Sequence, residues 1–302
     1  MRALFITTKT NETTNHVRAW ESVYGEAVHF TFDHEGIRND WQFLEAAESV
    51  QPDVIFYIGA NIGKGNPKTE NLVALRKFAP TVLLCSDAAD YPWHKALGAY
   101  RMHKCFSLQV SIDGARDAPV DLAVLTPVDS RPFDSIQPVR DIRCGFSGTV
   151  GRWNTRAETI MALEWLGGLT VRRRHEDGGY DDHVRFLKRC RMLMNISLTG
   201  TQQTNHIKGR VIEAGLAGCA LLESEGSPIG DWFPKGCWFT FRDPPEAAVM
   251  IRDLSDAEIE KSARMLSDFI RSQYTAKHIY GSILEKIEKR RPSSIRSADY
   301  PQ

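Results

Sequence analysis

Short apolar runs alternate along this chain with stretches in which apolar positions recur at helical spacing. Ala3–Ile6, Val28–Phe32, Val54–Ile58 and Val82–Cys85 predict strands, with weaker ones near Cys105–Val110 and Leu122–Leu125. Between the strong runs, helical patterns contain Trp20–Tyr24, Trp41–Val50 and Leu72–Phe78. Such alternation predicts βαβ units and an open, mostly parallel sheet. The rhythm breaks over Thr126–Arg140, where Pro127, Pro132 and Pro138 stand among polar residues, as expected of an interdomain linker.

A second series follows. Ile142–Phe146, Val171–Arg173, Met192–Ile196, Cys219–Leu222 and Trp238–Phe241 predict strands. Helical patterns cover Asp181–Arg191, Ile207–Ala217, Pro245–Leu254, Asp256–Ser272 and Ala276–Lys289. Thr155 and Glu158 have capping-box spacing before a further helix, and Gly218 follows Ala217 where a helix would need a left-handed residue. The polar tail from Arg290 is expected to fray. Two doubly wound domains are therefore expected, residues 1–130 and 140–285.

At 302 residues two domains are the natural division. Lys plus Arg and Asp plus Glu balance at 38 each, which argues against a broad nucleic-acid-binding surface. Cys85, Cys105, Cys144, Cys190, Cys219 and Cys237 form no C-x-x-C pair and several lie in apolar runs, so reduced buried thiols of a cytoplasmic protein are expected. The amino terminus turns polar too quickly for a signal peptide, and no apolar stretch is long enough to span a membrane. Any membrane association would be peripheral, through a partner.

Ligands of open α/β sheets collect at the carboxyl ends of strands. The first such place is Gly145-Phe-Ser-Gly-Thr-Val-Gly-Arg152, a strand running into a glycine-containing loop. Small residues there let backbone N–H groups approach an anion, and Arg152 could add a bidentate contact to a diphosphate; an ordinary strand–helix turn with an exposed Arg152 stands beside that reading. The second is the polar loop from Thr201 into the helix carrying Lys208, Arg210 and Glu213. Cations at a helix amino terminus oppose its dipole, which suggests an anionic ligand; the alternative is a surface Arg210–Glu213 pair worth roughly 0.2–0.5 kcal/mol. The third is Asp87, Asp90 and His94 after the strand ending at Cys85: Asp87 or His94 could take a proton from a hydroxyl, or an aspartate could cap the next segment. Gly59–Gly65 has the wrong spacing for a phosphate loop, and His175–His183 has no metal-ligand spacing. H-E-x-x-H, G-x-S-x-G and D-x-D are missing.

Gly145–Arg152, Tyr180-Asp-Asp-His-Val-Arg-Phe-Leu, Met194-Asn-Ile-Ser197, Lys208-Gly-Arg-Val-Ile-Glu-Ala-Gly-Leu-Ala-Gly218 and Ala220-Leu-Leu-Glu223 occur in an order that resembles the carboxyl-terminal domain of GT-B glycosyltransferases. The resemblance is closest to the CgeB-like group related to spore-maturation proteins and covers about residues 140–285. It implies an α/β GT-B fold, two Rossmann-like domains facing a central cleft, with the final helix, about 274–289, a candidate for crossing back to the first domain. It implies a glycosyltransferase of polysaccharide biosynthesis using a nucleotide-sugar such as a UDP-sugar as substrate, no metal, and an acceptor the motifs do not specify. Glu213 would bind the ribose, Lys208 and Arg210 the diphosphate, and Gly148, Thr149 and Arg152 would lie close to the phosphates. Many relatives carry an earlier glutamate near the donor sugar; Asn205 stands there, leaving retention or inversion open. A non-catalytic sugar-nucleotide or glycan-binding protein and a nucleotide-sugar epimerase are the rival readings.

Overall fold

The computed structural model describes residues 1–8, 11–32, 41–58, 67–150, 155–173, 179–199, 201 and 204–290. In chain order its elements are β1 (Ala3–Thr8), α1 (Asn11–Tyr24), β2 (Ala27–Phe32), α2 (Gln42–Val50), β3 (Val54–Ile58), α3 (Thr69–Ala74), β4 (Thr81–Cys85), α4 (Tyr91–Met102), β5 (Leu108–Ser111) and β6 (Leu122–Ala123). After a 3₁₀ turn at Arg131–Asp134 come β7 (Ile142–Gly148), α5 (Thr155–Trp165), β8 (Thr170–Arg173), α6 (Gly179–Arg189), β9 (Cys190–Asn195), α7 (Gly209–Leu216), β10 (Ala220–Ser224) and β11 (Trp238–Phe241). Helices α8 (Pro244–Asp253), α9 (Asp256–Gln273) and α10 (Ala276–Arg290) follow.

Two compact units result. The first comprises Met1–Ile112, Arg116–Val124 and Ala276–Gln302, and the second Asp113–Ala115 and Leu125–Thr275. The first sheet has the order β2-β1-β3-β4-β5-β6 and the second β11-β10-β9-β7-β8. Every strand pair is parallel. Strands covered on both faces must be apolar throughout, and Val54–Ile58 and Thr81–Cys85 are buried along their whole length. In the first unit α10 brings Tyr280 against Trp20 and Phe56, with ring centroids 5.2 and 5.5 Å apart. Its hydroxyl donates to the His16 carbonyl at 2.9 Å.

In the second unit Phe146, Met192, Met194 and Leu222 form a core with Ile160, Leu163, Ile251 and Ile259. Helix α7 ends in a Schellman motif: Gly218 has φ +69°, its N–H reaches Gly215 O at 3.0 Å, and Cys219 N–H reaches Ala214 O at 2.9 Å. Gly218 thus takes the role its position predicts. Gly215 lets α9 approach: a Cβ there would run into Ile270 Cδ1 and lie 3.2 Å from Leu266 Cγ.

Three local expectations are corrected. Thr126–Arg140 is no free linker but part of the second unit. Lys188, 2% exposed, needs acceptors for its buried ammonium and finds the carbonyls of Ser135 (2.5 Å) and Ile136 (3.1 Å). Gln137 and Arg140 tie the same stretch to the Lys188, Cys190 and Ala217 carbonyls. Thr155 lies inside α5 rather than capping it; the capping box belongs to α9, where Ser255 and Glu258 serve each other's backbone. Lys208 is the residue before α7, in extended conformation, not part of its first turn. The Gly59–Gly65 loop lies outside the described residues.

Because α7 is seated against α9 at Gly215, Gly215→Ala should lower stability by about 1–3 kcal/mol through overpacking. Thermal unfolding against wild type checks it; an unchanged midpoint would mean that Ile270 swings aside without penalty.

Candidate functional site

In the second unit the strand order reverses between β7 and β9, with β8 beyond one and β10 beyond the other. Connections leave in opposite directions from such a point, opening a place at the strand ends that ligands use. Polar residues stand at the ends of these strands: Ser147, before the final Gly148, on β7, Asn195 on β9, and Glu223 and Ser224 on β10. Asn195 and Glu223 are cross-strand partners.

Arg210, in the first turn of α7, lies over these ends. Its Nε donates to Ser147 O at 2.8 Å and its Nη1 to Asn195 Oδ1 at 2.9 Å. Its guanidinium sits 4.5 Å from the centroid of the Phe146 ring. Gly148 is required twice over. Its φ of +150° suits glycine, and a Cβ there would collide with Arg210 Nη2.

Glu213, one turn along α7, receives His183 Nε2 on Oε2 at 3.2 Å, and both side chains are about 15% exposed (16% and 15%). The other ring nitrogen, Nδ1, is 2.9 Å from Ser147 Oγ. Burial alone would raise the Glu213 pKa, but His183, Arg210 and the Tyr180 hydroxyl together outweigh it and hold the carboxyl below its usual value. Glu213 is therefore ionised, an acceptor only. Ser147, His183 and Glu213 have the side chains of a hydrolase triad, yet Ser147 is 2% exposed and closed to a substrate carbonyl.

Of the residues proposed from sequence, the fold gathers Gly148, Arg210 and Glu213 in one cluster. The Arg210–Glu213 surface pair is overturned, because both groups face inward partners. Thr149 follows Gly148 and is exposed, and Lys208 is partly buried before α7. Asn205 pairs with Leu198 in an isolated antiparallel bridge. Arg152 and His175 lie outside the described residues. Asp87 and His94 belong to the first unit. Asp90 stands at the N-cap of α4 without a side-chain capping bond, and His94 Nε2 is buried with no hydrogen-bond partner among the described residues. Sequence reasoning passes over His183, Ser147, Asn195 and Glu223. For the three strand residues the signal is a polar side chain at the end of an apolar run, as in Met192-Leu-Met-Asn195 and Ala220-Leu-Leu-Glu223, whereas His183 stands on α6.

A family model described as glycosyl transferase-like matches residues 132–285. A search of curated protein sequences gave no match. Among solved structures, Anabaena HepE in complex with UDP and glucose superposes with a TM-score of 0.65 at 11% identity, over 96% of this chain and 100% of that one. A glycosyltransferase from Rickettsia africae gives 0.62 at 8% identity, over 95% and 98%. A UDP-forming trehalose-phosphate synthase from Burkholderia vietnamiensis gives 0.57 at 8% identity, over 96% and 100%. These likenesses are of fold, which is GT-B.

The depressed Glu213 pKa carries a stability consequence. A carboxyl more acidic when folded than when unfolded contributes stability above its unfolded value, near 4.5, and that contribution is lost as pH falls through the folded value. Glu213→Gln should therefore flatten the acid limb of the stability profile between about pH 3 and pH 5. Urea unfolding across that range is the measurement, and an unaltered limb would show the ionised carboxylate gains nothing from its partners.

Proposed function

Since the chain belongs to the glycosyl transferase-like family, we propose that this glycosyltransferase takes a UDP-sugar as donor and holds its nucleotide on the second unit, at the carboxyl ends of β7 and β9. The observation that carries this reading is the fixed Arg210 guanidinium with the ionised Glu213 one helical turn away. A leaving nucleoside diphosphate gains charge as the glycosidic bond breaks. A cation already held by Ser147, Asn195 and the Phe146 ring can meet that charge without reorganising. Glu213, an acceptor only, suits the paired hydroxyls of a ribose.

The CgeB-like resemblance assigns the same roles, Glu213 to the ribose and Lys208 and Arg210 to the diphosphate, with Gly148, Thr149 and Arg152 close to the phosphates; Asn205, which replaces the earlier glutamate of many relatives, would offer a hydrogen bond but no charge to a donor hydroxyl. Lys208 and Arg210 would supply the positive charge that metal-dependent transferases take from a divalent cation, so transfer would need no metal. The uridine base is supported by the complexes of HepE with UDP and with UDP-glucose. For the acceptor hydroxyl, Asp87 and His94 in the first unit are the proposed proton acceptors. The six cysteines are all free and buried, which fits a reducing cytoplasm. Among the described residues no helix is long and apolar enough to cross a membrane.

UDP should raise the thermal midpoint of the wild-type protein more than ADP or GDP does, by mass action. Arg210→Ala and Glu213→Ala should each weaken UDP binding by about tenfold or more, since each removes charge-assisted hydrogen bonds. Calorimetric titration reads both effects. Unchanged affinity in both variants would move the donor site elsewhere, and slow hydrolysis of a bound UDP-sugar by wild type would separate an enzyme from a mere binder.

A further inference from the structure

Glu223, next to last in β10, has no exposed surface, and the donor reading above gives it no task. Its Oε2 accepts from Asn195 Nδ2 at 2.8 Å and its Oε1 from Ser197 Oγ at 2.5 Å. Ser197 Oγ lies 3.0 Å from Ser227 Oγ. On the opposite edge of the same amide, Asn195 Oδ1 receives Arg210 Nη1 at 2.9 Å.

An asparagine amide has one donating and one accepting edge. With Nδ2 held by Glu223, the carbonyl edge is the one turned to the guanidinium. Rotating the amide by half a turn would set N–H against N–H on one side and oxygen against oxygen on the other, in a buried place where unmatched polar groups are costly. We propose that Glu223 is a positioning residue for the donor site, fixing the Asn195 amide and through it the aim and effective charge of Arg210. The proposal rests on the reading of Arg210 as the cation that faces the diphosphate.

Its charge gives the arrangement a second property. Burial pushes the Glu223 carboxyl up to about 7, although Ser197, Asn195, Arg210 and the Ser224 amide all favour the ionised form. Arg210 on α7 is the charged group acting on it among the described residues. Its partners from β9 and the loops after β9 and β10 are neutral, and α9, packed on this sheet, turns Ile259, Ala263, Leu266 and Ile270 inward. When ionised, Glu223 offsets part of the Arg210 field. When protonated, its O–H turns to Ser197 Oγ and Ser197 donates onward to Ser227, while the remaining carboxyl oxygen still accepts from Asn195. The aim of Arg210 thus survives the titration and the positive charge offered to an anion rises. Linkage fixes the sign: a bound diphosphate favours the protonated carboxyl, so affinity falls as pH rises through neutrality.

The test is calorimetric titration of UDP-glucose into wild type, Glu223→Gln and Glu223→Leu from about pH 6 to about pH 8. Both phosphates of this probe carry a fixed single charge across that range, so a slope that Glu223→Gln abolishes belongs to residue 223. Wild-type affinity should weaken roughly fivefold over the range. Glu223→Gln keeps an oxygen for Asn195 and a donor for Ser197, so it should hold the wild-type low-pH affinity throughout, with no slope. Glu223→Leu leaves the amide unguided and should bind about tenfold more weakly at every pH. A wild-type slope retained in Glu223→Gln, or undiminished binding by Glu223→Leu, overturns the role while sparing the donor site. If the leucine variant does not fold, the glutamine profile alone decides. Absence of wild-type binding to both UDP-glucose and UDP at every pH would overturn the donor site and this role together.

Discussion

A guanidinium placed over the ends of two parallel strands is expensive to leave without acceptors, and much of the second unit's local architecture is the answer to that demand. Arg210 cannot lose its charge, so every neighbour must suit it. The Ser147 carbonyl and Asn195 amide take its N–H groups, the Phe146 ring takes its face, and residue 148 must have no side chain. Two carboxyl groups, Glu213 and Glu223, stand within its field with pKa values displaced in opposite directions. Glu213 has His183 and Tyr180 as further partners and stays ionised; Glu223 has only neutral partners besides Arg210, and burial prevails. Separating two like groups by environment gives one of them a fixed charge and the other a variable one.

The fold delivers this arrangement by parallel topology alone. Chain reversal between β7 and β9 opens the strand ends, and α7 must then arrive at a set height and rotation. Gly215 against Ile270 sets the approach, and the Schellman motif at Gly218 stops the helix one turn later. Arg210 and Glu213, three residues apart, share the face turned to the strands.

Apolar runs specify the central strands well because parallel strands are buried on both faces: Val54–Ile58 is a strand over those residues and Val82–Cys85 falls within Thr81–Cys85, both buried throughout. Helix α4 has its buried positions, Trp93, Ala96, Leu97 and Tyr100, at helical spacing, but its start hides them. Pro92 and the aspartates before it have the composition of a loop, yet proline is tolerated in a first helical turn. Thr126–Arg140 looks like a linker because three prolines mark irregular backbone; what they cannot reveal is that Lys188, distant in sequence, needs its carbonyls. For the site, Arg210 and Glu213 are legible as charges on an otherwise apolar helix. Their partners Ser147, His183 and Asn195 are not, because that network depends on which strands lie side by side, a property of long-range pairing.

Tyr280 and its bond to the His16 carbonyl span a separation of 264 residues. Helix α10 also sends Arg290 to Asp121 at 2.9 Å. During synthesis on the ribosome, the strands of the first sheet emerge early, but the surface around Trp20 and Phe56 stays uncovered until this helix has left the exit tunnel. That aromatic surface is therefore among the last of the first unit's core to be covered, and it is what a nascent-chain chaperone would encounter.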